Sequence, residues 1–169
     1  MATYKVNPEV KPMTQRLSST CWLTCFQMLF QWKIDKGSSS LSASESSILA
    51  ALDKSPNLFP YYMVTAGIAP GECKEAAKML GLRWAGGGDI DAQILHDALK
   101  SHGPYWVAGN WGSGSHVIVV TACNPDTGTI KYIDPWQNVT LTDSNGTISW
   151  LNGRGSVWKN CDSSLIYWL

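Results

Sequence analysis

Residues 18–32 read Ser18-Ser19-Thr20-Cys21-Trp22-Leu23-Thr24-Cys25-Phe26-Gln27-Met28-Leu29-Phe30-Gln31-Trp32. Drawn as a helix, Cys21 to Trp32 carries apolar side chains on nearly every face. That is the pattern of a helix buried on all sides, not of one lying on a surface. Ser18, Ser19 and Thr20 are good cap residues for its start, and Gly37 is a natural stop. The chain before it reads as extended, because Pro8 and Pro12 block helix.

Beyond this helix, a Ser-rich connection runs from Ser38 to Ser47. Within it, Ser42 and Glu45 have capping-box spacing ahead of a short helix through Ile48, Leu49 and Leu52. A further helix is predicted over Gly71–Leu80, ended by Gly81. After the loop Gly86-Gly87-Gly88, Asp89 can cap a helix carrying Ile90, Ile94, Leu95, Ala98 and Leu99, which Gly103-Pro104 ends. From Tyr105 the period changes. Tyr105–Ala108, His116–Ala122, Thr129–Ile133, Val139–Leu141 and Leu165–Leu169 read as strands, with Asn124-Pro-Asp-Thr-Gly128 as a hairpin turn between two of them. Helices first and strands second predict an α+β fold, its N-terminal helices packed on a C-terminal antiparallel sheet. A length of 169 residues suits one domain over 1–169, with a helical half at about 18–102 and a sheet half at about 104–169.

Composition narrows the function. The 13 basic and 13 acidic residues cancel, and no basic run supplies the usual driver of nucleic-acid binding. No apolar stretch reaches the ~18 residues of a membrane span. The first residues lack the apolar core of a secretory signal, so export would need another route. The odd count of five cysteines leaves at least one thiol free, and their sparse placement fits a reducing, cytosol-like compartment. Cys21 and Cys25 have no second Cys/His pair to complete a zinc site; neither metal nor cofactor is expected. Most of the nine Trp are expected in the core. The sequons at Asn138 and Asn145 read as turn chemistry.

The chemistry-bearing residues are Gln15, Cys21, His116 and Asp134. Cys21 falls in the first turn of the buried helix, where the helix dipole favours a thiolate. An imidazolium at His116 would stabilise it further and protonate the leaving amine. The hairpin at 124–128 makes the His116 strand and the Thr129–Ile133 strand antiparallel neighbours. His116 and Asp134 then lie roughly opposite each other, and the carboxylate can orient the ring. The Cys21 N–H and the Gln15 amide are candidate donors to a developing oxyanion. If the four meet in space, the chain is a cysteine hydrolase. Cys25, Cys73, Cys123, Cys161, His96 and His102 read as structural or surface residues. The Gly109–Ser115 run lacks the Lys and following helix of a phosphate loop. It reads as a cleft-edge loop that leaves room for substrate beside His116, with Trp111 as a wall.

Gln15 followed six positions later by Cys21-Trp22, then His116, then Asp134 with Trp136 two positions on, resembles the papain-like cysteine peptidases. Gly103-Pro104, His116-Val-Ile-Val-Val-Thr and Tyr132-Ile-Asp-Pro-Trp136 look most like the compact bacterial members, secreted effectors and bacteriocin-leader peptidases. The resemblance runs from about Gln15 to Trp136. It implies Cys21 as nucleophile, His116 as base and acid, Asp134 as the group orienting it, Gln15 in the oxyanion hole and Trp136 shielding the His–Asp bond. Trp22, Trp111, Gly114, Ser115 and Trp136 make up the expected substrate-binding set. A protein or peptide substrate is implied, as is delivery into a target cell as an effector or toxin, with a cognate immunity protein as partner. Two other readings stand beside this one: a cell-wall amidase or endopeptidase acting on peptidoglycan, and a non-catalytic binding module on the same fold.

Overall fold

In the computed structural model, residues 2–86, 88–110, 114–136, 144–154 and 161–169 are described. The apolar run from Cys21 forms α1 (Cys21–Asp35), and every residue from Cys21 to Trp32 except Gln27 and Gln31 is buried. Those two polar positions are accommodated: Gln27 Nε2 donates to Ala43 O at 3.0 Å and Gln31 Nε2 to Asp35 Oδ1 at 2.9 Å. Gly37, at φ +126°, follows the helix.

Around α1 lie α2 (Glu45–Leu52), α3 (Pro60–Ala66), α4 (Cys73–Met79), α5 (Ala92–His102) and α6 (Ile148–Arg154), with a single 3-10 turn at Pro70–Glu72 leading into α4. The strands are β1 (Tyr4–Lys5), β2 (Arg83–Ala85), β3 (Tyr105–Asn110), β4 (Ser115–Cys123), β5 (Thr129–Ile133), β6 (Ser144–Thr147) and β7 (Leu165–Tyr167). Among the described residues they form one sheet in the order β2-β7-β3-β4-β5-β6, with β1 alongside the far end of β4; every pairing is antiparallel. The mixed helix and antiparallel-sheet architecture is the one expected. The predicted strand at Val139–Leu141 and the sequon residue Asn138 lie outside the described residues.

α1 packs on β3 and β4 through aromatic rings. Phe26 stacks on Trp106 with centroids 5.0 Å apart and planes within 10°. Trp106 Nε1 donates to Trp22 O at 3.1 Å, and Trp168 Nε1 to Leu29 O at 3.0 Å. Each indole therefore contributes apolar area while its N–H finds a backbone carbonyl of α1. Trp22, Trp32, Trp106 and Trp168 are all buried, which accounts for much of the tryptophan content.

The caps differ from expectation in three places. Ser44, not Ser42, caps α2 by accepting from Ser47 N at 3.2 Å, and Glu45 pairs instead with Arg16 at 3.1 Å. Asp91, not Asp89, caps α5, its Oδ1 accepting from Gln93 N at 2.9 Å and Ile94 N at 3.0 Å. The reason is tertiary: Asn152 grips the Ile90 backbone at both N and O, holding the chain out of helix until Ala92. Thr20 stands at the N-cap of α1 but forms no cap bond. Its buried hydroxyl turns back to Leu17, donating to Leu17 O at 3.0 Å and accepting from Leu17 N at 3.1 Å. The first-turn N–H groups of α1 are thus left without a side-chain cap.

Candidate active site

α1 delivers Cys21 as its first residue, β4 delivers His116 as its second, and Asp134 directly follows β5. Their meeting depends on one irregularity. β4 and β5 pair Cys123 with Ile130 and Ala122 with Lys131; past an extra residue, Thr121, the pairs become Val120 with Tyr132 and Val119 with Ile133. Continued by one step, that register sets Asp134 across from Ile118, on the same sheet face as His116 and diagonal to it. Without the bulge, Asp134 would fall opposite Val119 and point to the other face. The sequence-based expectation that the two lie roughly opposite each other is thereby refined to a diagonal pair on one face, within reach of an imidazole and a carboxylate.

His116 Nε2 and Asp134 Oδ1 are 2.7 Å apart. The other ring nitrogen faces the thiol, because the His116 side chain also interacts with Cys21; with Nε2 taken by Asp134, Nδ1 is the nitrogen left for sulfur. Burial pushes the imidazole pKa down, but the Asp134 and Cys21 hydrogen bonds and their charges outweigh it and hold it at about 9. Burial also raises Asp134, and here too the His116 bond wins, with help from the His116 charge and from Trp136 N–H at 2.9 Å, so the carboxyl lies below its ordinary value. The signs fix the stability window. The raised His116 contributes fully below its unfolded value of 6.5 and loses its contribution as pH climbs through about 9. The lowered Asp134 contributes above its unfolded 3.8 and loses it in acid.

Cys21 and His116 open on a cleft of about 460 Å³. Ser18, Ser19 and Cys21 form one side, Ser115–Val117 of β4 another, and the α3–α4 connection, Ala66 to Pro70, the far wall. Ser19 Oγ donates to Val64 O, tying the approach to α1 to the end of α3. The size suits a short extended stretch of a larger substrate. Sequence reading missed the far wall because small apolar residues around Gly67 carry no chemical signature.

Gln15 does not line this cleft. It sits in an adjoining hollow of about 320 Å³ with Arg16, Leu17 and Trp136. Its backbone N–H donates to Pro135 O at 2.9 Å, which fastens the segment beside the Asp134 turn. Its side-chain Nε2 donates to Leu17 O at 2.7 Å, leaving the second N–H of the amide, while Oε1 is buried with no partner among the described residues. Trp136 is 59% exposed and belongs to the same hollow. Ser115 lines the main cleft; Gly114, at φ +141°, shapes the entry to β4 but does not line it. Trp22, expected at the substrate, is fully buried and packs edge-on against Phe26, so that expectation is corrected: its position in α1 turns it into the core. Trp111 lies outside the described residues. Cys25, one turn past Cys21, donates to Val117 O at 3.4 Å, and burial raises its thiol pKa well above the ordinary range.

Among the described residues, no cluster of three or more His, Cys, Asp or Glu could hold a metal ion, and no helix is long and apolar enough to cross a membrane. No curated protein matches the chain. Two solved structures share its fold across nearly their whole length. One is the peptidase domain of Streptococcus ComA, a bi-functional ABC transporter involved in quorum sensing; it is 15% identical, with 95% of this chain and 97% of that one covered and a TM-score of 0.55. The other is a C39-like peptidase from Bacillus anthracis, 13% identical, with 97% of each chain covered and a TM-score of 0.58. Residues 3–152 match the papain-like cysteine protease AvrRpt2 family; the chain belongs to that family and is a cysteine peptidase.

Proposed function

We propose that this peptidase hydrolyses peptide bonds of a protein substrate through Cys21, and that it does so as an effector or antibacterial toxin inside a target cell. The observation that carries the catalytic part is the interacting chain Cys21–His116–Asp134 at the edge of an open cleft. The Cys21 thiolate attacks the scissile carbonyl, and the imidazolium, held charged by Asp134, protonates the departing amine. The acyl-enzyme then takes up water, with His116 as base. The uncapped N–H groups at the start of α1 and the second N–H of Gln15 receive the oxyanion. Gln15→Ala is expected to lower kcat by about 10²–10³-fold, the usual loss for one such donor. An unchanged kcat would take Gln15 out of the mechanism.

The pH profile tests the ion pair. Activity requires protonated His116, so the alkaline limb of kcat/KM is expected near pH 9. Asp134→Asn keeps an acceptor but removes the charge, and should move that limb down by about 1–3 units, the usual effect of one close charge. A limb that stays in place would mean that Asp134 does not set the protonation of His116.

The effector reading rests on family membership. An antibacterial toxin would further require an immunity protein that covers this cleft. Comparing protein termini between target cells expressing wild type and Cys21→Ala would identify the substrate. New termini confined to the wild type support the reading, whereas release of muropeptides from purified sacculi without protein cleavage would favour a cell-wall enzyme.

A further inference from the structure

Cys73 and Cys161 lie 88 positions apart in the chain, yet their side chains come together on adjacent backbone carbonyls. Both sulfurs rest on one short segment, Cys73 Sγ at 3.6 Å from Ala69 O and Cys161 Sγ at 3.4 Å from Pro70 O. That segment is the far wall of the active-site cleft. The placement of Cys161 is tightly determined: a Cβ on Gly86 would come within 2.6 Å of Cys161 O, so only glycine lets the end of β2 press against it. Cys73 is fully buried, whereas Cys161 is partly exposed.

We infer that Cys161 and Cys73 form a peroxide-sensitive thiol pair, with Cys161 the residue attacked and Cys73 the resolving partner, whose disulfide fastens the cleft wall to the segment leading into β7.

The two thiols are polarised for these roles. The neighbouring Cys73 side chain is the largest influence lowering the Cys161 thiol. Against the opposing effect of burial, and with Ser163 donating through both its hydroxyl and its N–H, this holds the Cys161 thiol at about 6. The same contact, followed by burial, raises Cys73 far above the ordinary thiol range and keeps it protonated. Cys161 is thus the more readily ionised of the pair and the one with access to solvent, the combination that makes a cysteine oxidisable. Of the remaining thiols, Cys25 and Cys123 are buried and raised, the latter to about 11, chiefly by burial.

Hydrogen peroxide is the oxidant. The Cys161 thiolate attacks a peroxide oxygen, an S–O bond forms as the O–O bond breaks, and hydroxide leaves to become water; sulfur is oxidised and peroxide reduced. The Cys73 sulfur then attacks the Cys161 sulfur, the S–S bond forms as S–O breaks, and the departing hydroxide carries off the Cys73 proton as a second water.

The test uses full-length Cys21→Ala protein, so that oxidation at Cys21 and the proposed peptidase activity play no part. After brief treatment with hydrogen peroxide, free thiols are alkylated and peptides mapped by mass spectrometry. The expected product is a Cys73–Cys161 cross-linked peptide lighter by two hydrogens, abolished by dithiothreitol. Its rate of formation should fall as pH drops below about 6, where Cys161 becomes protonated. In the further variant Cys73→Ala, a dimedone adduct is expected on Cys161, because the sulfenic acid then has no resolving thiol. Cys161 that stays alkylatable after peroxide treatment of folded protein, or that forms only cross-links between chains, would overturn the pair.

Discussion

Cys21→Ala is expected to lower kcat by about 10⁴-fold or more while the fold survives. Loss of the nucleophile from a comparable catalytic triad costs about 10⁶ in kcat, and what remains comes from the oxyanion donors and substrate binding. In this protein no neighbouring sulfur can substitute. Cys25 lies a turn deeper, fully buried and bonded to Val117 O. The structural cost should be small, because Cys21 is the first residue of α1 and is 8% exposed at the cleft, not set in the centre of the core. The measurement is single-turnover and steady-state cleavage of a peptide spanning the site mapped by terminal proteomics, beside a thermal melt of both proteins. A variant that kept a hundredth of wild-type kcat would exclude Cys21 as the nucleophile.

Gly103→Ala should destabilise the protein by about 3 kcal/mol, through two additive causes. Gly103 has φ +87° and ψ −157°, a region essentially reserved for glycine that costs an alanine about 1–3 kcal/mol. In addition, the new Cβ would lie 2.3 Å from Trp32 Cη2 and 2.6 Å from Cζ3. The indole has no easy retreat: it is 3% exposed, its Nε1 donates to Pro8 O at 2.8 Å, and Lys36 Nζ lies 5.0 Å from the ring centroid. Overpacking of this sort costs about 1–3 kcal/mol. Gly81→Ala is the control, since Gly81 has φ +74° but nothing within 4 Å of the added Cβ, so only a backbone cost should appear. Urea denaturation of the three proteins separates the contributions. Equal losses for the two variants would mean that the Trp32 contact costs nothing. Against a usual stability of about 5–15 kcal/mol, the Gly103 change is large enough to reduce folded protein in cells.

Much of the scaffold was legible because its segments are long and strongly periodic. α1 begins at Cys21 as its apolar run predicts, β5 occupies Thr129–Ile133 as read, and the 124–128 turn forms, with Gly128 at φ +72° and its N–H donating to Asn124 O at 2.9 Å. The elements that escaped are short ones whose partners are remote. β1 has two residues and β2 three, too few to show a period, and each forms because an edge of β4 or β7 is waiting for it. α3 was missed because Tyr61 and Tyr62 on this seven-residue helix, and Phe59 at its N-cap, are exposed aromatics, which blurs the apolar stripe that signals a helix. The caps of α2 and α5 were each displaced by two residues, since the choice between neighbouring cap residues lies with partners such as Asn152 that are distant in sequence.

By itself, the sequence determined that a thiol would stand at the start of a buried helix, that an imidazole and a carboxylate would flank a hairpin, and that this order of residues resembles the papain-like peptidases. These are matters of local periodicity, cap and turn chemistry, and residue identity, all of which act over a few positions. Only the tertiary structure decided which face the carboxylate takes. One extra residue at Thr121 shifts the β4–β5 register, and a shift of one residue in a strand reverses every side chain beyond it. Only tertiary packing, likewise, turned Trp22 into the core, set Gln15 in a neighbouring hollow, built the far wall from Ala66–Pro70 and brought Cys161 to Cys73. Each of these is a contact between parts of the chain that are far apart in sequence, and such contacts leave no trace in local pattern.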